Sequence, residues 1–190
     1  MIIAFSGKIG SGKSSVSAAV ADVLNLPWVS FGDYVRKQAR AQELEPTREH
    51  LQDLGQKLLR ADAEAFCKAV LSQTPDWENG IVVDGVRHSD VLHIIKRLIN
   101  QQQLIHIHLE LNEPLREARV ISREGVVEEC EQIRMNNHPT EEQVSGLLPS
   151  IADIVVSSTG PLDIVVEKVK TGIESLLTHN PVKDLDSERH

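Results

Sequence analysis

Residues Met1 to Ser15 read MIIAFSGKIGSGKSS, and this stretch decides the fold class. Ile2 to Ser6 is a short apolar run suited to a buried strand, and glycines follow at 7, 10 and 12. Val16, Ala19, Val20 and Val23 then recur at helical spacing until Asn25 and Pro27 close the helix. A glycine-rich turn between strand and helix lets unpaired backbone N–H groups and the positive helix end face an anion. GKIGSGKS, Gly7 to Ser14, meets the phosphate-binding loop pattern in the strand–loop–helix context that pattern requires. Gly7, Lys8, Ile9, Gly10, Ser11, Gly12, Lys13, Ser14 and Ser15 are therefore the candidate contacts to a nucleoside triphosphate such as ATP. Lys13 is placed for the β and γ phosphates. Ser14 is placed to give its hydroxyl to Mg²⁺, which takes few protein ligands beside phosphate oxygens and water. Ser15 lies one position further along the turn.

Working outward, Trp28 to Phe31 reads as a second short strand, and Gly32-Asp33 leads into a polar helix ending near Ala41. Thr47 caps a long helix with Leu51, Leu54, Leu58 and Leu59 at spacings of three and four, continuing through Phe66 and Val70. Ile81-Val82-Val83-Asp84 is an apolar run closed by a carboxylate, the signature of a buried parallel strand with its functional residue at the C-terminal end. Asp84 is the acidic candidate for Mg²⁺, beside Ser14. A helix from Ser89 to Asn100, an alternating strand from Leu104 to Leu111, a charged helix from Pro114 to about Arg123, a last strand Ile154 to Val156 and a closing helix Pro161 to Leu177 complete the pattern. Strands alternating with helices imply a central parallel five-stranded sheet with helices on both faces, a three-layer α/β fold. His106, His108 and Glu110 alternate on one strand face. We read them as polar residues at a sheet edge or under a helix, not as metal ligands.

Composition narrows the partners. The formal net charge of −8 in 190 residues opposes a large footprint on a nucleic acid polymer. Lys8, Lys13, Arg36, Arg87, Arg119, Arg123 and Arg134 nevertheless fall at or near the motifs, so a local cationic cleft for a small polyanion is expected. The two cysteines, Cys67 and Cys130, form no CxxC pair, and no apolar run reaches the length of a membrane span. A soluble cytoplasmic protein with no membrane partner is expected.

Phe31-Gly32-Asp33-Tyr34-Val35-Arg36 resembles the TGDLLR-type segment of adenylate kinases, and Asp84-Gly85-Val86-Arg87 resembles their DGFPR segment. With the phosphate-binding loop, these place the chain close to the P-loop nucleoside monophosphate kinases. The resemblance implies that Arg36 and Arg87 clamp the phosphate of an acceptor, with Asp33 and Asp84 near the metal. It also implies a P-loop kinase domain over residues 1–178, an acceptor-binding insertion over 32–79 and a short lid over 119–138 that carries Arg119 and Arg123. Residues 179–190 are expected to be a disordered tail. Ala152 to Leu162 is similar to a region of dephospho-CoA kinases that lies near adenine, which implies an adenine-side loop at Ser157 to Gly160, including Thr159 and Gly160. The chain departs from the adenylate kinase pattern where Phe31 replaces Thr, where the segment after Gly85 lacks Pro and one residue, and where Ser14 replaces Gly. These departures leave the acceptor base open.

Lys13, Arg87, Arg119 and Arg123 are thus the expected catalytic cations, and Asp33, Arg36 and Arg87 the acceptor contacts. The expected activity is transfer of the γ-phosphoryl group of ATP to a small phosphorylated acceptor, a nucleoside or deoxynucleoside monophosphate. Two alternatives stay open. One is a dephospho-CoA kinase with Asp33 as proton acceptor, and the other is an ATP-binding sensor without kinase activity.

Overall fold

The structure, a computed structural model, describes residues 1–99, 102–124 and 143–179, the side chains of 123, 124 and 179 excepted. Arg134, residues 125–138 of the expected lid, the Arg123 side chain and residues 180–190 of the tail lie outside this set.

Five strands form one parallel sheet: β1 (Ile2–Gly7), β2 (Trp28–Ser30), β3 (Ile81–Val86), β4 (Leu104–Glu110) and β5 (Ile154–Ser157). Their spatial order is β2-β3-β1-β4-β5, with every pairing parallel. The helices are α1 (Lys13–Leu24), α2 (Phe31–Ala41), α3 (Arg48–Ala61), α4 (Ala63–Leu71), α5 (Ser89–Leu98), α6 (Glu113–Glu124), the short α7 (Leu147–Ser150) and α8 (Leu162–His179), with a 3₁₀ turn at Trp77–Asn79.

Alternation along each strand sorts the core into two layers. Ile2, Ala4, Ile81 and Val83 pack under α2 to α5 and Leu148 of α7. Ile3, Phe5, Val82, Ile105, Ile107 and Leu109 face the opposite way, against Val16 and Val20 of α1 and Val165 to Ile173 of α8. The three expected layers are therefore present, and the C-terminal ends of all five strands meet along one edge. Among the described residues, no helix is long and apolar enough to cross a membrane.

Three local differences from the sequence expectation have physical causes. Phe31 does not extend β2; Ser30 caps α2 by accepting a hydrogen bond from the Asp33 amide at 3.3 Å, so the helix begins one residue after the strand. Phe31 then turns into the core, edge-on to Phe66. The long helix from Thr47 is two helices. Asp62 adopts extended backbone, ends α3 and caps α4 by accepting from the Ala65 amide at 2.8 Å. In β3, Asp84 lies opposite Phe5 but Val86 lies opposite Ser6, leaving Gly85 unpaired at φ 88°. This bulge needs a residue tolerant of the left-handed region, and it sits where bulges re-aim a neighbouring side chain.

Removing the Asp62 cap tests its contribution. Asp62→Ala should lower stability by about 1 kcal/mol, read as a shifted urea midpoint.

Candidate active site

The loop between β1 and α1 is shaped by its glycines and by α6 behind it. Gly10 has φ 84°, and a β-carbon there would lie 2.8 Å from Val120 Cγ2 and 2.9 Å from the Arg116 carbonyl oxygen. Only glycine fits such a close approach. Gly12, at φ 83°, is the N-terminal cap of α1, whose first turn contains no acidic residue. The helix's positive end is thus left for a ligand. Lys13 opens the helix half-buried, whereas Ser14 and Ser15 are exposed.

Ser14 and Asp84, expected together from sequence, are brought together. Ser14 Oγ donates to Asp84 Oδ2 at 2.7 Å, from α1 to the end of β3. Ser30 Oγ, at the end of β2, donates to the same oxygen at 3.3 Å. Asp84 is only 2% exposed, and its other oxygen, Oδ1, is buried with no hydrogen-bond partner. A buried carboxylate oxygen left unsatisfied is costly. That orphaned acceptor, next to a hydroxyl and the phosphate-binding loop, fits a hard divalent cation such as Mg²⁺ with its water shell.

Arg87 is half-buried beside Asp84. Burial lowers its pKa to about 10, the Asp84 charge opposes that shift, and the nearby Arg48 guanidinium adds to it. It remains a cation at neutral pH. Asp33 and Arg36 lie on the exposed first turns of α2, where Arg36 donates to Asp33 Oδ1 through Nη2 at 2.5 Å and Nε at 3.2 Å. The structure thus places Asp33 in a pair with Arg36.

The helix α6 lines the loop's other flank. Arg116 is only 3% exposed: it donates to the Ile9 carbonyl at 3.1 Å and pairs with Glu113. That pairing pulls the Glu113 carboxyl below its usual range. Arg119 is exposed and bridges two segments, donating to the carbonyls of Ser11 at 3.5 Å and Ser158 at 3.1 Å. The loop 157–160 is pinned to β4, because Ser158 donates to the Glu110 carbonyl through both its amide and its hydroxyl. Thr159 accepts from Ser157 at 3.2 Å, and Gly160, at φ 111°, has open space about it.

Next to the loop, between β1 and β4, lies a polar cluster. Ser6 Oγ is 2.7 Å from His106 Nε2 and 2.8 Å from His108 Nδ1, and all three residues are buried. Ser6 has one hydroxyl proton, so it donates to at most one of the two imidazoles. Burial lowers the pKa of both histidines; His108, also near His106 and Lys8, falls to about 4. Glu110, the third residue of that alternation, is exposed. No group of three or more His, Cys, Asp or Glu able to hold a metal occurs among the described residues.

Ser30, Arg48 and the Ser6 bridge were not among the candidates the sequence offered. Ser30 was detectable: a serine three residues before Asp33 is a helix-start signal. The i, i+3 pairing of Glu113 with Arg116 was also legible, but its burial was not, since burial depends on how close α6 approaches Gly10.

With this geometry in hand, similarity to known proteins is informative. Residues 6–134 match the AAA domain family (AAA_17). A UPF0200/UPF0201 protein of Archaeoglobus fulgidus is 30% identical over 174 residues, covering 89% of this chain and 54% of that protein. The chain spans 53% to 63% of the length of three curated relatives it matches, and 87% and 98% of two more. A shikimate kinase from Aquifex aeolicus superposes with TM-score 0.57 and 18% identity, over 95% of this chain and 100% of its own. A gluconokinase from Sinorhizobium meliloti does so with TM-score 0.59 and 19% identity, over 93% of each. At such identities the likeness is one of fold, and the fold is that of the P-loop kinases.

The buried histidine pair gives a pH signature. His108 titrates near 6.5 when unfolded and about 4 when folded, so the unfolded state binds more protons between those values. Stability should be fully present above about pH 6.5 and fall toward pH 4. His108→Gln should flatten that slope in urea midpoints measured across the range; an unchanged slope would show that His108 does not set it.

Proposed function

We propose, for a chain that belongs to the AAA domain family (AAA_17) and has a P-loop kinase fold, that it transfers the γ-phosphoryl group of ATP to a small phosphorylated acceptor. A nucleoside or deoxynucleoside monophosphate is the acceptor we favour. The observation that carries this reading is the convergence at one sheet edge of the phosphate-binding loop, the Ser14–Asp84 pair and the half-buried Arg87 cation.

In this mechanism the backbone N–H groups of residues 7–14 and the start of α1 hold the ATP phosphates, and Lys13 neutralises charge on the β and γ phosphates. Ser14 and Asp84 are the residues that would hold Mg²⁺, which when bound supplies further charge neutralisation on the phosphates. Arg87, anchored beside Asp84, presents a planar fork to the acceptor phosphate. Arg36 joins it by exchanging its contact with Asp33 for the acceptor. An acceptor phosphate is already an anion, so no general base is needed. Arg119 stands where one guanidinium spans the loop and the segment 157–160, which we assign to the adenine side. The division into a kinase domain over 1–178, an acceptor-binding insertion over 32–79 and a lid over 119–138 carrying Arg123 is part of this proposal.

A second reading has one observation in its favour. Asp33 is an exposed carboxylate at the start of α2, suited to take a proton from a hydroxyl, as a dephospho-CoA kinase or a kinase of the kind named for shikimate or gluconate would require.

The test is ADP formation from Mg-ATP with nucleoside monophosphates, deoxynucleoside monophosphates, dephospho-CoA, shikimate and gluconate. We expect a monophosphate to raise turnover far above the acceptor-free rate and Lys13→Ala to abolish it. Slow turnover indifferent to every acceptor would sink the kinase reading and favour a sensor. With the responsive acceptor, Arg87→Ala should raise the acceptor KM by about 10- to 100-fold, the worth of a charge-assisted hydrogen bond, with little change in the KM for ATP. Equal losses for both substrates would count against the assignment of Arg87.

A further inference from the structure

Ser30 occupies a position that no part of the mechanism above uses. It is 3% exposed, it ends β2 directly opposite Asp84 of β3, and its hydroxyl has two partners. Ser30 Oγ donates to Asp84 Oδ2 and accepts from the Asp33 amide, both at 3.3 Å. The Asp33 carboxylate in turn holds Arg36. A β-carbon on Gly32 would lie 3.5 Å from both Ser30 Oγ and Arg36 Nη2, so the guanidinium folds back over this same turn.

We propose that Ser30 is a positioning residue that couples nucleotide binding to the acceptor side of the site, through the chain Asp84–Ser30–Asp33–Arg36. The inference rests on reading Ser14 and Asp84 as the place of the nucleotide's metal. A cation held by a lone pair of Ser14 Oγ would leave the Ser14 O–H donating to Asp84 Oδ2 and would fix that carboxylate in the one orientation in which the same oxygen also accepts from Ser30. The bond from Ser30 is then held, and since the Ser30 oxygen caps α2, the first turn of the helix tightens with it. The turn carries Asp33 and Arg36, so filling the nucleotide site orders the acceptor contacts before an acceptor arrives. Coupling of this kind is reciprocal: an acceptor held by Arg36 tightens nucleotide binding by the same factor.

The measurement is hydrogen exchange of peptides spanning α2, with and without saturating Mg-AMPPNP, in the full chain. Calorimetry on each variant checks that the nucleotide is bound. Ser30→Gly retains most of the capping preference and lacks the hydroxyl, Ser30→Thr restores the hydroxyl, and Ser30→Ala, which keeps a β-carbon, guards against an effect of backbone freedom alone. We expect nucleotide to slow exchange in the first turn of α2 at least threefold in the wild type and in Ser30→Thr. In Ser30→Gly and Ser30→Ala the nucleotide should still bind but leave that exchange unchanged. Undiminished slowing in both variants lacking the hydroxyl, or no slowing in a wild type shown to bind, would overturn the coupling. Absence of any calorimetric binding by the wild type would instead overturn the nucleotide site, and the coupling with it.

Discussion

The Asp84 carboxylate is a charge buried at the end of a central strand, and the surrounding architecture is organised by how that charge is satisfied. Removing a carboxylate from water costs several kcal/mol unless hydrogen bonds and opposite charges replace the solvent. Three elements contribute: α1 sends Ser14, β2 sends Ser30, and the segment after β3 sends Arg87. Each is a short step from a feature that the proposed function uses, the phosphate-binding loop for Ser14, the start of α2 for Ser30, and the proposed acceptor side for Arg87. The Gly85 bulge lies next to this carboxylate, at the point where the pairing of β3 with β1 shifts by one residue. One oxygen of Asp84 is still left without a partner, which is the feature that ties the metal reading to geometry.

The flank formed by α6 solves a different problem. A glycine-rich loop has many backbone conformations to lose, and a phosphate site works only if they are restricted before the ligand binds. Arg116 reaches a loop carbonyl from a buried position, Val120 fills the space beside Gly10, and Arg119 ties the loop to the segment after β5. Next to the loop, the Ser6–His106–His108 cluster joins β1 to β4 one residue before the loop begins. Arg116 and Arg119 thus have carbonyl partners in the loop, and His106 and His108 lie in the core.

Much of the fold was legible because its signals are local. Apolar runs such as Ile2 to Phe5 and Ile81 to Val83 can only be buried, and helices between them force a parallel sheet. The glycine spacing and its strand–helix context identified the loop, and a carboxylate closing a buried strand identified Asp84. What sequence did not supply was tertiary. That Ser30 faces Asp84 follows from the register of β2 against β3, and that His106 and His108 share one serine follows from the register of β4 against β1. The break at Asp62 was hidden because the leucine periodicity runs up to it and the aromatic and aliphatic pattern resumes beyond it, while the interruption depends on the cap geometry of a single aspartate.

The central claim is that Ser14 and Asp84 make the nucleotide site metal-dependent. It is tested most directly by the affinity for ATP measured by calorimetry with Mg²⁺ and with EDTA, in the wild type and in Asp84→Asn. The account predicts that Mg²⁺ tightens binding in the wild type at least tenfold and that Asp84→Asn loses most of this gain while still binding ATP without metal. Equal affinity with and without Mg²⁺, or a gain in Asp84→Asn as large as in the wild type, would contradict it.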